Sequence, residues 1–338
     1  MSRLDRVHLL VWATLAAAPL LASGWQATQL AQLLTYGLLA MSIAFIWGQC
    51  GLLCFGQAVF FGLGAYAMSL ATLGMIPGLR QPADWSASWL GLALAAAVPA
   101  LAAQLLGRFL FHGRGLRGAY FGIVMLAVAV IAERVATSWS YVGGLNGLMN
   151  VPPFAPRDGL ELVDPRPLYW ATLLLCLLAF LTLEGLSRSR WGSVLRAIRD
   201  NEDRTAFLGF DVAAYKTTAF TLSAAVAGLA GAAFVAQFGF VSPPLIGFAL
   251  STEALIWVAL GGRTLLIGAF IGAVGVRWLE AVLSARLGAF WLVAIGALFV
   301  IAVILFPRGI VAEPVLRWAE NRARPAPSSL RPPGSPCL

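Results

Sequence analysis

Long apolar runs separated by short polar segments fill the chain as far as about residue 306. A helix needs roughly 20 apolar residues to cross the hydrocarbon core of a bilayer, and ten runs approach or reach that length. The predicted spans are 8–23, 29–47, 57–75, 88–107, 118–136, 168–186, 213–237, 246–260, 264–283 and 289–306. The pattern therefore predicts an all-α polytopic membrane protein with about ten transmembrane helices.

Two of these regions differ from an ordinary membrane helix. The span 246–260 is only about 22 Å long, short of the roughly 30 Å core, and it contains Glu253. The stretch 47–66, WGQCGLLCFGQAVFFGLGAY, joins two spans through glycines and glutamines without a polar loop. Broken or short helices occur in transporters where they face a cavity. Because the two regions occupy comparable places in the two halves, they suggest an internal repeat.

The positions of the arginines predict the orientation. Arginine-rich segments at 108–117, at 187–212 and after residue 306 share one side if ten spans leave both termini in the cytoplasm. The loop 137–167, which has more acidic than basic residues, then lies outside. We therefore expect a multi-pass protein of the cell inner (plasma) membrane. Residues 1–306 form its transmembrane domain. Residues 307–338 form a cytoplasmic tail, rich in proline, serine and arginine and disordered from about residue 321.

Composition agrees with a protein in the lipid bilayer. Only 11% of the residues are charged and the mean hydropathy is +0.83, whereas soluble domains carry about 25% charged residues. The net charge of +8 follows from the positive-inside bias, so no nucleic-acid partner is expected. Residues 1–23 have the charge and apolar core of a secretory signal. An uncleaved first membrane helix is the interpretation we favour over that signal.

The residue types leave little catalytic chemistry. The two histidines, His8 and His112, lie far apart, and the four cysteines lack a metal-binding spacing. Lys216 is the only lysine, so the sequence has no Walker A motif, which needs a lysine for the phosphates. We expect a protein that is not an enzyme and binds no metal or cofactor. Any ATP that it uses is hydrolysed by separate partner subunits.

The segment 187–212, SRSRWGSVLRAIRDNEDRTAFLGFDV, is the most polar part of the chain. Apolar residues among its charges predict one or two short amphipathic helices on the membrane surface, with a break or cap at Asp200 or Asn201. The apolar positions are Val194, Leu195, Ile198, Ala206 and Phe207. The segment is either an ordinary positive-inside loop or a docking helix for a partner.

Four sets of residues, in order, resemble the membrane permease of ABC importers for branched-chain amino acids and urea. They are GLLCFGQAVFFGLGAYA (51–67), RGAYFGIVMLAVAVIAE with GGLNGL (117–133 and 143–148), the segment 189–234 around RAIRDNEDRTAFLGFD, and TEALIWVALGGRTLLIGAFIGA with LFPRGI (252–273 and 305–310). The sequence departs from the family at Cys54, where serine is common, and at Phe55, which replaces leucine.

The resemblance implies several partners and a function. The partners are a second, related permease subunit in a heterodimer, two cytoplasmic ATP-binding subunits and an extracytoplasmic solute-binding protein. The chain would form part of the translocation pathway for branched-chain amino acids or a related small polar solute. Urea is the alternative solute, because the stretches IWG, IWVALGGR and FWL resemble the urea-type members of the family more than the others. An ion-coupled secondary transporter is less favoured, because it would need a chain of intramembrane acidic residues and Glu253 alone does not provide one.

Two groups of site residues follow. The resemblance assigns coupling to the ATPase to residues of the 187–212 segment, namely Arg196, Arg199, Asp200, Asn201, Glu202, Arg204 and Gly209. Polarity in or beside apolar spans makes five residues candidates for the translocation pathway, namely Gln49, Gln57, Asn146, Thr252 and Glu253. For Glu253, a structural partnership with an arginine or with backbone amides is the alternative. Glycines at helical spacing, Gly228 and Gly231 among them, predict close helix packing.

Overall fold

The computed structural model describes residues 3–21, 23–76, 85–113, 115–116, 118–157 and 162–287, together with residues 290, 296 and 309. Within these residues the regular structure is helical, apart from one isolated bridge between Leu148 and Val241. The α-helices are α1 (Arg3–Leu21), α2 (Gly24–Cys50), α3 (Gln57–Thr72), α4 (Trp85–Phe111), α5 (Ala119–Ser138), α6 (Pro165–Arg188), α7 (Arg190–Asp200), α8 (Glu202–Phe207), α9 (Val212–Phe238), α10 (Phe248–Gly261) and α11 (Leu266–Leu287). The all-α prediction is confirmed.

Among the described residues, seven helical stretches are long and apolar enough to cross a membrane by length and composition. They are α2, α4, α5, α6, α9, α11, and α10 together with the 3-10 turn before it. Helix α3 is apolar but shorter. The described residues include only residues 290, 296 and 309 of the tenth predicted span, 289–306, and of the tail, 307–338. The total of about ten therefore stays a prediction.

The glycine-rich stretch at 47–66 breaks one helix and starts another inside the bundle. Helix α2 ends where Gly51 takes a left-handed conformation, φ 72°, and donates its N–H to the Trp47 carbonyl. The chain is then non-helical until α3 begins at Gln57. The Gln57 amide bonds the hydroxyl of Ser42, which lies about 12 Å from the end of α2 along the helix. The non-helical residues thus run back alongside α2, and α3 begins at the depth of Ser42.

The second half of the chain contains the same sequence of elements. Helix α9 has 27 residues, as α2 has, and it also ends at a left-handed glycine, Gly239 with φ 66°. A non-helical stretch with one 3-10 turn follows, and then the short helix α10, which has 14 residues. The predicted short span is confirmed. The correspondence favours the internal repeat, although the repeat as a whole stays a prediction.

The three helices α3, α4 and α9 form the most closely packed part of the bundle. Their backbones approach where Gly64 on α3 meets Gly228 on α9, and Gly228 also lies against the Ala95 carbonyl of α4. A Cβ atom at Gly228 would overlap that carbonyl oxygen. The packing role predicted for Gly228 is therefore confirmed, whereas a Cβ atom at Gly275 on α11 would meet no atom within 4 Å.

This difference gives a stability test. We expect Gly228→Leu to destabilise the protein by about 3 kcal/mol, because the α3, α4 and α9 backbones would have to separate. Gly275→Leu is the matched control and should be neutral, since there is open space around that position. Thermal unfolding and the monodisperse fraction of the purified protein in detergent measure both. Equal melting temperatures for the two variants would contradict the packing account.

Candidate functional site

The 187–212 segment folds as two short helices, as predicted. Helix α7 buries Leu195 and Ile198 on one face and is polar on the other. Asn201 forms the break, because it ends α7 and its side-chain oxygen accepts the Arg204 backbone N–H at 2.9 Å to cap α8. We refer to residues 187–212 as the coupling segment. Its two helices have an inward face against the bundle and an outward face.

Two arginines on α7 bind the end of α2. Arg199 Nη1 donates to the Gly48 carbonyl at 2.6 Å, and Arg196 Nη1 donates to the side-chain oxygen of Gln49 at 3.1 Å. Arg196 also donates to the Ser187 carbonyl at 2.6 Å. The last carbonyls of a helix lack intrahelical partners and carry partial negative charge, so cations bind well there. The two coupling candidates Arg196 and Arg199 thus fasten the segment to α2.

The same segment is held to α9 by a charge pair and by aromatic stacking. Lys216 Nζ on α9 donates to Glu202 Oε2 on α8 at 2.6 Å. The Lys216 side chain is only 4% exposed, whereas the Glu202 side chain is 25% exposed. On α7, the Trp191 ring stacks between Phe45 of α2 and Tyr215 of α9. The coupling segment is therefore tied to two long helices of the bundle.

The outward face of the segment is partly apolar. Phe207, at the end of α8, is 92% exposed, and the neighbouring Leu208 is also exposed. Gly209 follows with φ 89° and turns the chain toward α9. The prediction that Phe207 belongs to an apolar face on the membrane surface stays a prediction. Its exposure at the end of α8 also makes Phe207 a site candidate that was missed among the predicted coupling residues.

Gln57 lies in a buried polar cluster where four helices meet. Its amide nitrogen donates to Ser223 Oγ at 2.9 Å and to Ser42 Oγ at 3.2 Å. Ser251 on α10 accepts the backbone N–H of Ala58 at 3.0 Å, which satisfies the first turn of α3. All of these side chains are buried. Among the described residues, the Gln57 side-chain oxygen has no hydrogen-bond partner. The geometry gives Gln57 a role in joining α3 to α2 and α9, while the Ala58–Ser251 bond joins α3 to α10.

The other predicted pathway residues are dispersed. Asn146 is exposed in a 3-10 turn after α5, and Gln49 contacts the coupling segment. Thr252 donates to the Phe248 and Ala249 carbonyls of its own helix. The Glu253 side chain is 47% exposed, so the described residues do not enclose this carboxylate, and its pathway role stays a prediction. It lies 3.8 Å from Arg277 Nη1, so it has the arginine partner that was the structural alternative.

Comparisons with known proteins identify one family. The family profile described as the permease component of the branched-chain amino acid transport system matches residues 27–306. The high-affinity branched-chain amino acid transport system permease proteins LivM of Salmonella typhimurium and Escherichia coli are each 30% identical over 315 residues, which cover 86% of this chain and 71% of theirs.

A second group of relatives is named for a different solute. The autoinducer 2 import system permease protein LsrC of Yersinia pestis is 28% identical over 281 residues, which cover 79% of this chain and 68% of its own. No solved structure matches the chain.

The unequal burial of the Lys216–Glu202 pair gives a directional prediction. Glu202→Gln should destabilise the protein by about 3 kcal/mol, because it leaves the buried Lys216 ammonium without a countercharge. Lys216→Met should cost about 1 kcal/mol or less, because the remaining carboxylate of Glu202 stays partly hydrated. Arg204→Ala, at an exposed side chain, is the control. Thermal unfolding measures the three variants, and a larger loss for Lys216→Met than for Glu202→Gln would refute the account.

Proposed function

The chain belongs to the family of branched-chain amino acid transport system permeases, and on that premise we propose that it forms part of a solute pathway in an ABC importer. The solute that we propose is a branched-chain amino acid, as in the name of LivM. The relationship to LsrC, named for autoinducer 2 import, indicates that permeases of this similarity serve more than one solute. Urea is kept as the competing solute in the test below.

The coupling segment is the observation that carries this proposal. A subunit without its own ATPase must receive force from a partner, and a receiving element has to be exposed on one side and fixed to the bundle on the other. Arg199, Arg196 and the Lys216–Glu202 pair provide the fixation, while Phe207 and Leu208 provide an exposed apolar tip. An exposed aromatic anchor flanked by polar residues is typical of an interface that is buried in a complex.

We therefore propose four partner subunits of three kinds. Two ATP-binding subunits on the cytoplasmic side contact the coupling segments of this chain and of a second permease subunit. A solute-binding protein delivers the solute on the opposite side. Closure of the ATP-binding subunits moves the coupling segments, and the bundle opens inward. In this orientation both termini are cytoplasmic.

The transport function is tested by uptake into proteoliposomes that contain the full complex. We expect ATP-dependent accumulation of radiolabelled leucine, competed by isoleucine and valine and not by a hundredfold excess of urea. A complex that takes up radiolabelled urea, with no accumulation of leucine, would show that the solute assignment is wrong.

The docking role is tested separately at Phe207. Phe207→Ala should weaken binding of the ATP-binding subunit by about thirtyfold, and so reduce the amount that co-purifies with the permease, because truncating a central aromatic anchor costs roughly 2 kcal/mol. Phe109→Ala, at an exposed aromatic residue on α4, is the matched control and should not change co-purification. Equal recovery of the ATP-binding subunit from both variants would contradict docking at this tip.

A further inference from the structure

Two polar stripes with the same spacing face each other across one cavity. On α2 the stripe is Gln29, Gln32 and Tyr36, and on α11 it is Arg277, Glu280 and Ser284. Both follow the spacing i, i+3 and i+7, which places each set on one face of its helix. The described residues line an open cavity of about 360 Å³, which is within the usual range of about 300–1,000 Å³ for small-molecule sites.

The Arg277 guanidinium of this cavity lies against two aromatic rings and is paired with Glu280. The Arg277 guanidinium lies 4.2 Å from the centre of the Tyr36 ring and 5.6 Å from that of Trp257. Its Nη1 atom donates to Glu280 Oε2 at 2.7 Å. Glu253 lies beyond, at 3.8 Å from the same nitrogen. Side chains of this polarity are costly against lipid, and within membrane spans such groups mark solute pathways.

The remaining wall of the cavity is apolar. Leu33 of α2, Phe238 at the end of α9, and Trp278 of α11 contribute it. The cavity therefore combines the Arg277 guanidinium, the Glu280 carboxylate and two amides with a hydrophobic surface, and the Glu253 carboxylate lies close to Arg277. It lies far from the coupling segment, because Gln29 is separated from Gly48, where Arg199 binds, by about 28 Å of helix. In the proposed orientation this is the side on which solute arrives.

We propose that this cavity is a binding site for the zwitterion of a branched-chain α-amino acid. The ligand carboxylate binds Arg277 and its ammonium group binds Glu280, so that both charges of the existing ion pair find a partner of opposite sign. The branched side chain packs against Leu33, Phe238 and Trp278. A ligand with only an anionic group would contact Arg277 alone, and a ligand with only a cationic group would contact Glu280 alone, so each would lose one of the two charge-assisted contacts. Neutral urea offers no charge to either residue.

The inference rests on the proposed function and makes it more specific. The measurement is the leucine concentration that gives half-maximal uptake by the full complex in proteoliposomes. Arg277→Gln should raise that concentration by about tenfold or more, because it removes a charge-assisted hydrogen bond to the carboxylate. The leucine concentration for half-maximal uptake by Arg277→Lys should lie between that of the unaltered complex and that of Arg277→Gln. Arg286→Gln, at an exposed arginine in the last turn of the same helix, is the matched control.

Ligand analogues test the same site in the unaltered complex, where no substitution can disturb folding, and a second variant tests the apolar wall. Leucinamide, which lacks the carboxylate, and 4-methylpentanoate, which lacks the ammonium group, should each compete with leucine at least about tenfold more weakly than isoleucine does. Trp278→Ala, at an exposed residue of the cavity wall, should reduce the preference for leucine over alanine.

The possible results distinguish a failure of the proposed binding site from a failure of the proposed transport function. Uptake of leucine with the same half-saturation in Arg277→Gln and Arg286→Gln would overturn the site and leave the transport function intact. Competition by leucinamide as strong as that by isoleucine would also overturn it, since it would indicate a site for cations. Absence of leucine uptake by the unaltered complex would refute the transport function itself.

Discussion

The fold depends on satisfying backbone groups where helices stop inside the bilayer. Hydrocarbon offers no hydrogen bonds, so each broken helix needs protein partners for its free N–H and C=O groups. Here α3 and α10 begin next to each other, and the Ser251 hydroxyl accepts the Ala58 N–H at the start of α3. Gln57 joins this junction to α2 and α9 through Ser42 and Ser223. Glycines at the helix ends make the breaks sterically accessible.

The same constraint explains the placement of the coupling segment. The end of α2 has free carbonyls, and arginines from α7 bind there instead of facing a partner. Stacking of Trp191 between Phe45 and Tyr215 and the pair of Lys216 with Glu202 add connections to α9. The exposed tip is therefore connected through the coupling segment to α2 and α9. These two helices also carry the serines that hold Gln57.

Local sequence patterns predicted the features that depend on neighbouring residues. The break at Asn201 and the short α10 were identified from spacing and length alone, because capping and helix length are local properties. The inward direction of Arg196 and Arg199 and the exposure of Phe207 were not predicted, because they depend on how α7 and α8 dock on helices distant in sequence. The charge cluster around Arg277 was missed for the same reason, since it forms only when α11 packs against α2.

The central claim is that the coupling segment and the long helices of the bundle move as one rigid unit. It is tested most directly by electron spin resonance distances in the assembled transporter, with spin labels at two exposed residues. One label replaces Ala197 on α7 and the other replaces Trp25 in the first turn of α2. The account predicts the same distance without nucleotide and with the ATP-bound state trapped. A change of several ångströms between the two states would contradict it, because α7 would then hinge on the bundle.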